Sequence, residues 1–186
     1  MVQAFLVDFD GTLADTSAAN FQAYADALAE VDVFISRELF ERQAFGRNWR
    51  QFLPELLKLH GSEADPAAVA ARKAVHYRGA AREVRFNEAL VFLLQSRLPG
   101  TKAALVTTAS SANVAAALAG RDDLRRLFDV VVTGDDVARH KPDPQAYALA
   151  ASQLGVAPGQ CLVIEDSPIG VAAGRAFGAR VLQVCF

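Results

Sequence analysis

The stretch AFLVDFDGT, residues 4–12, decides how this chain is read. Its four leading apolar residues, Ala4 to Val7, fit a short strand buried on both faces, and the Asp10-Gly11 pair closes it in a turn. Asp8 and Asp10 then stand two positions apart at the end of an apolar run, where like charges repel and desolvation is costly. A simple turn accommodates such a pair. So does a site in which a cation or a phosphorylated group lies between the carboxylates.

Outward from that strand the rhythm changes twice. From Thr16 it is helical: Phe21, Tyr24, Leu28 and Val31 recur at helical spacing. Ser36 suits an N-cap for a helix over 37–44, with Glu38 in its first turn and Gly46 just past its end. A further helix is expected from Trp49 to Leu59, stopping at His60-Gly61, and Asp65-Pro66 opens another that runs to about Glu83. After Arg85 helices alternate with strands. The pattern predicts helix 87–97, strand 103–107, helix 111–119, strand 129–133, helix 144–154, strand 161–165, helix 168–177 and strand 180–184, with Gly155 and Gly178 as helix stops. Such alternation implies right-handed crossovers and a parallel sheet covered on both faces. The expected architecture is therefore α/β: a Rossmann-like parallel-sheet core (1–14 and 86–186) with helices on both faces, interrupted by an inserted α-helical cap (15–85).

Composition narrows the partners. The 186 residues, 52% of them apolar and 22% charged, are enough for a sizeable core. A net charge of −2 argues against nucleic acid or an anionic membrane as the main partner. Cys161 and Cys185 have no CxxC or metal-binding spacing and read as buried thiols of a cytosolic protein rather than a disulfide. The N-terminal MVQAF lacks a basic region, and no run approaches the roughly 18 apolar residues of a membrane span, so a cytoplasmic location is expected.

Ligands of open parallel sheets sit at the carboxyl ends of the strands. The polar residues expected there are Asp8 and Asp10, Thr107 and Thr108, Asp135 and Asp136, and Glu165 and Asp166, with Lys141 in the loop RHKPDP. Each has a plainer reading by itself. Asp-x-Asp-Gly is often a turn, Thr107-Thr108 a polar strand end, Lys141 a solvated cation and EDSPIG a helix cap. An EF-hand loop would need a glycine and a glutamate where Leu13 and Ala19 stand. Gly170, Gly174 and Gly178 suit a helix face packed on the sheet better than a nucleotide loop, and His60, His76 and His140 have no ligand spacing and read as surface residues. Taken together at one edge, the carboxylates, hydroxyls and lysine describe a phosphoryl-transfer site.

The segments DFDGT (8–12), LVTT (105–108), KPDP (141–144) and VIEDSPIG (163–170), in this order, resemble the motifs of the haloacid-dehalogenase superfamily, phosphatase and β-phosphoglucomutase-like branch, over essentially the whole chain. The resemblance implies that Asp8 is a nucleophile forming an aspartyl-phosphate, and that Asp10 protonates the leaving group and then activates water. It implies further that Thr107 holds phosphoryl oxygens, that Lys141 holds phosphate and Asp8 together, and that Mg²⁺ is bound by Asp8, the Asp10 carbonyl and Asp166, with Glu165 as a direct or supporting partner. An all-oxygen set with few carboxylates suits Mg²⁺. Thr108, and from the cap segments FGRNW (45–49) and ARKAVHY (71–77) Arg47 and Lys73, are the expected substrate contacts, although solvated surface cations would look the same. Many relatives continue past the strand that follows EDSPIG, where this chain ends at Phe186, and either a bare sheet edge or a shortened chain is expected there.

The reaction expected first is hydrolysis of a small phosphorylated metabolite. A sugar phosphomutase is the enzyme alternative; mutase-type members often carry a histidine in the first cap helix, where this chain has Asn20. The dehalogenase branch lacks the second aspartate that Asp10 supplies. A phosphate-binding protein or a phospho-switch is the alternative without catalysis, but in a receiver switch the acidic pair precedes the phosphoacceptor, and here it comes last.

Overall fold

Ala4–Val7 forms β1, and Ala4, Leu6 and Val7 within it are completely buried, so layers must cover both of its faces. In this computed structural model, which describes residues 1–44 and 47–185, β1 is followed by β2 (Ala14–Asp15), α1 (Ser17–Ala29), α2 (Arg37–Ala44), α3 (Trp49–Leu59) and α4 (Pro66–Ala80). A 3₁₀ turn over Ala81–Glu83 leads to β3 (Arg85–Phe86), α5 (Glu88–Gln95), β4 (Lys102–Val106), α6 (Ser111–Ala117), α7 (Asp122–Arg125) and β5 (Val130–Val132). The chain closes with α8 (Gln145–Leu154), β6 (Cys161–Glu165), α9 (Pro168–Phe177) and β7 (Arg180–Gln183).

The main sheet has the order β5-β4-β1-β6-β7, and each neighbouring pair is parallel. Because the side-chain period of a strand is two, its residues feed two separate cores. Val7, Leu105 and Ile164 pack with Leu90 and Leu94 of α5 and Val114 of α6. Leu6, Ala104, Val106 and Val163 meet Ala146, Tyr147 and Ala150 of α8 on the opposite face. Gly174 of α9 allows close approach to that sheet: a Cβ there would lie 3.0 Å from Val163 and Val181. A third cluster draws its buried members from residues 24–69, with Tyr24, Leu28, Phe40, Phe52 and Leu56 among them.

Capping explains where the helices start. Ser36 Oγ accepts from Leu39 N–H at 3.1 Å, Asp65 from Ala67 N–H at 3.0 Å, and Ser167 from Gly170 N–H at 3.1 Å. The expected helix stop at Gly46 lies outside the described residues. The helix opened by Asp65-Pro66 ends at Ala80, short of Glu83, because the chain tightens there and pairs Arg85–Phe86 antiparallel with Ala14–Asp15. That two-residue ribbon joins the entry and exit of the helical stretch, and it is too short to leave a periodic signature in sequence. No helix among the described residues is long and apolar enough to cross a membrane.

Candidate active site

The pairing Val7↔Leu105 and Val7↔Ile164 brings the ends of β4, β1 and β6 to one edge. Asp8, Thr107 and the Glu165-Asp166 pair arrive there together, and the loop after β5 adds Lys141. Lys141 is 2% exposed, and its Nζ donates to Asp8 Oδ1 at 2.7 Å, Glu165 Oε1 at 2.6 Å and the Val106 carbonyl at 3.1 Å. An ammonium has three donors, and all are used. Glu165 is completely buried; Tyr147 donates to its Oε1 at 2.8 Å, while Ser167 and the backbone N–H of Asp166 donate to its Oε2. Nothing in the segment AYALAAS marks Tyr147 as part of this site; a tyrosine on an apolar helix face reads as core.

Electrostatics show what this cluster favours. Burial raises the Asp8 pKa well above the ordinary carboxylate range, the negative charge of Glu165 adds to that, and Lys141 offsets only part of it. Burial, then Glu165, likewise pushes Asp166 up to about 6. Burial would lower the Lys141 pKa, but Asp8, Tyr147 and Glu165 outweigh it and the ammonium is held well above its usual value. For Glu165 burial is likewise opposed, and Lys141 leaves that carboxyl below its usual value. One oxygen from each of Asp8, Glu165 and Asp166 lies within 4.8 Å of the others, and a single ammonium pairs with Asp8 and Glu165. Such an excess of negative charge suits a divalent cation, and an all-oxygen donor set suits a hard one. Glu165 already accepts bonds at both oxygens, so Asp8 and Asp166 have the lone pairs to spare. Gly11 (φ +84°) keeps the space beside Asp166 open, since a Cβ on it would lie 2.1 Å from Asp166 Oδ2. Thr12 Oγ1 donates to Asp166 Oδ1 at 3.2 Å and steadies that carboxylate.

Asp10 is held differently. Its Oδ1 accepts from Thr16 Oγ1, and from Asn20 Nδ2 at 3.1 Å, and its Oδ2 accepts from Thr107 Oγ1 at 3.2 Å. Thr16 and Asn20 reach it from the start of α1. Asn20 Oδ1 in turn accepts from Lys73 Nζ at 2.7 Å. The structure departs here from a surface lysine: Lys73 is 2% exposed, 4.0 Å from the centre of the Tyr77 ring and 4.9 Å from that of Tyr24. Burial lowers its pKa to about 7, only partly opposed by Asp10. Its aliphatic stem and the ring faces shelter it in a way that a single-residue reading misses.

A cavity of about 140 Å³ opens beside Asp10, lined also by Asn20, Lys73, Trp49 and Thr108. Arg47 lies on its wall, but the guanidinium donates to the carbonyls of Gln43 and Gln51 at 3.0 and 3.2 Å and pairs with Glu55 at 2.9 Å. Asp135 and Asp136 serve the loops instead: Asp136 accepts from Thr133 Oγ1 at 2.8 Å and Asp135 from Ser111 Oγ at 2.9 Å. The surface reading of His140 is corrected, because this residue, next to Lys141 in the chain, is only 9% exposed, and of the two cysteines expected to be buried Cys161 is and Cys185 is exposed. Phe45 and Gly46 of the segment FGRNW lie outside the described residues.

Comparison with known proteins shows the family. A family model described as haloacid dehalogenase-like hydrolase matches residues 2–178. The chain is 31% identical over 179 residues to the fructose-1-phosphate phosphatase YqaB of Escherichia coli, covering 96% of this chain and 94% of that protein. The crystal structure of CbbY from Rhodobacter sphaeroides in complex with phosphate superposes with a TM-score of 0.92 at 28% identity, over all of this chain and 87% of the other. A putative β-phosphoglucomutase from Thermotoga maritima, also 28% identical, superposes with a TM-score of 0.72 over all of this chain and 86% of its own.

Proposed function

This chain belongs to the haloacid dehalogenase-like hydrolases and acts on phosphate esters, and we propose that it is a Mg²⁺-dependent phosphatase of small phosphorylated sugars that works through an aspartyl-phosphate. The observation that carries the reading is the meeting of Asp8, Lys141 and Asp166 at one sheet edge, beside a cavity walled by Asp10. The sheet segments 1–14 and 86–186 form the catalytic core of this proposal, and 15–85 the cap that selects the substrate. The sugar preference follows from the relative that acts on fructose 1-phosphate.

In this mechanism Asp8 is the nucleophile. Lys141 grips Asp8 Oδ1, which leaves Oδ2 to attack phosphorus, and the same ammonium balances charge on the phosphoryl group. Asp10 protonates the departing sugar oxygen and then takes a proton from the water that opens the acyl phosphate, and Thr107 steers the carboxylate and the phosphoryl oxygens. Asp8, Asp166 and the Asp10 carbonyl would hold Mg²⁺, which when bound neutralises phosphoryl charge. Glu165 fixes Lys141 in this scheme. Thr108, Arg47 and Lys73 are the proposed substrate contacts, Lys73 acting from beneath the tyrosine rings.

The test is phosphate release from fructose 1-phosphate, hexitol phosphates and p-nitrophenyl phosphate, with and without EDTA. EDTA should silence turnover and added Mg²⁺ should restore it. Asp166→Ala should lower kcat/KM by about 10²-fold or more at moderate Mg²⁺, since it removes one of the two carboxylates free to hold the ion. Full activity in a verified metal-free preparation would refute the metal assignment.

A mutase shares the aspartyl-phosphate but must let a sugar hydroxyl, rather than water, attack it. With Asn20 where many mutases place histidine, water is expected to win. β-Glucose 1-phosphate with a trace of the 1,6-bisphosphate should then give no glucose 6-phosphate beyond background. Isomerisation that outruns phosphate release would overturn the phosphatase reading.

A further inference from the structure

Asn48 is almost wholly removed from solvent, at 2% exposed. Its Oδ1 accepts from Arg50 N–H at 3.0 Å, and Gln51 Oε1 accepts from its backbone N–H at 3.1 Å, a reciprocal cap on α3. Capping needs only the acceptor half of the amide. The donor half reaches elsewhere: Nδ2 donates at 2.7 Å to the carbonyl of Thr108, in the loop that follows β4. That is the loop whose Thr107 holds Asp10.

Gly134, in the loop after β5, makes the contact possible. A Cβ on it would lie 2.3 Å from the Thr108 carbonyl oxygen and 2.7 Å from Asn48 Nδ2, and its own N–H donates to the Ala109 carbonyl at 2.7 Å. The joint is thus built from three segments. Adjacent contacts are weaker, with Arg50 to Asp135 at 4.0 Å on the surface and Gln51 Nε2 to the Lys141 carbonyl at 3.5 Å.

We propose that Asn48 is a positioning residue for phosphoryl transfer, seating the start of α3 on the loop 107–109 and so fixing Thr107 and Thr108 for the substrate's phosphate. It also orients Trp49, the first residue of α3, on the cavity wall. This inference rests on the phosphatase reading above. The joint touches neither Asp8 nor Asp10 directly, so its loss acts through the loop, on the seat of the bound ester and, by way of Thr107, on the orientation of Asp10.

Asn48→Asp separates the two halves of the amide. Aspartate caps a helix as well as asparagine does, but it turns an acceptor toward the Thr108 carbonyl. The expected result is a fall in kcat/KM for p-nitrophenyl phosphate of about tenfold to a hundredfold, with weaker inhibition by inorganic phosphate, alongside a lowered thermal midpoint because a buried carboxylate then faces a carbonyl. Gly134→Ala should do the same, and the double variant should be little worse than either single one, because both break one joint. Hydrogen exchange at the Gly134 amide should quicken in each variant. Full additivity would overturn the proposal, and so would parental kinetics and exchange in both single variants. A fall in midpoint for Asn48→Asp equal to that of Asn48→Ala, with kinetics unchanged, would leave only a structural cap and overturn it equally. Should the parent hydrolyse no phosphate ester, the phosphatase reading falls with the positioning role, while exchange still shows whether the joint exists.

Discussion

Asp8→Asn is expected to release phosphate at no more than background, a loss of about 10⁴-fold or more in kcat, while the protein folds normally. An amide matches the carboxylate in size but is a far poorer nucleophile toward phosphorus, so no acyl phosphate forms. The fold has no reason to suffer. In the parent, burial and the neighbouring Glu165 raise the Asp8 pKa, so the folded state favours the protonated carboxyl more than the unfolded chain does. A raised carboxylate pKa costs stability as pH rises above the unfolded value, and asparagine carries no such cost. Lys141 still has Glu165 as its counter-charge. The thermal midpoint of Asp8→Asn near neutral pH should therefore equal or exceed that of the parent, and calorimetry beside a phosphate-release assay checks both halves. Turnover above a hundredth of the parent's would remove Asp8 from the role of nucleophile.

Lys141→Met should fail in both respects. Turnover is lost because the ammonium that grips Asp8 and screens the approach of a phosphate dianion to it is gone. Stability falls too, by about 3–5 kcal/mol at neutral pH, because one substitution strips the counter-charge from two buried carboxylates. The deficit should depend on pH. Without the ammonium, the folded pKa of Glu165 rises, as does that of Asp8, so both bind protons more readily in the native than in the unfolded state, and stability is lost as pH rises. The intact Lys141, whose pKa is raised, contributes undiminished stability throughout the acid and neutral range, so the parent shows no matching change from this group. Unfolding in urea at about pH 5 and about pH 7.5 should show the smaller deficit at the lower value. An equal deficit at both would mean that the carboxylates do not depend on Lys141 for their charge.

How far each feature was legible depends on how local its cause is. Ala4–Val7, Cys161–Glu165 and Pro168–Phe177 match the structure to the residue, because apolar runs, a Ser-Pro cap and a closing glycine are local signals. The order DFDGT, LVTT, KPDP and VIEDSPIG was sufficient to identify the family, since a parallel sheet sends each of these strand ends to one edge. The β2–β3 ribbon was not legible: two residues on each side carry no periodicity, and only their closeness in space makes them strands.

The sequence by itself thus determined the alternation of strands and helices, the inserted helical stretch and the residues that meet at the sheet edge, because each follows from spacing along the chain. Tertiary structure alone decided which polar groups are buried and what they face. Lys141 is enclosed by Asp8 and Glu165, with Tyr147 donating to the same Glu165 oxygen; Lys73 lies under two tyrosine rings; and Arg47 is engaged by Glu55. Asn48, an ordinary helix cap by its local pattern, sends its other amide atom to Thr108 in a space that only a glycine at 134 leaves open. The physical reason is the same in each case. The environment of a charge or an amide is set by segments distant along the chain, and burial makes those partners obligatory in a way that no local pattern records.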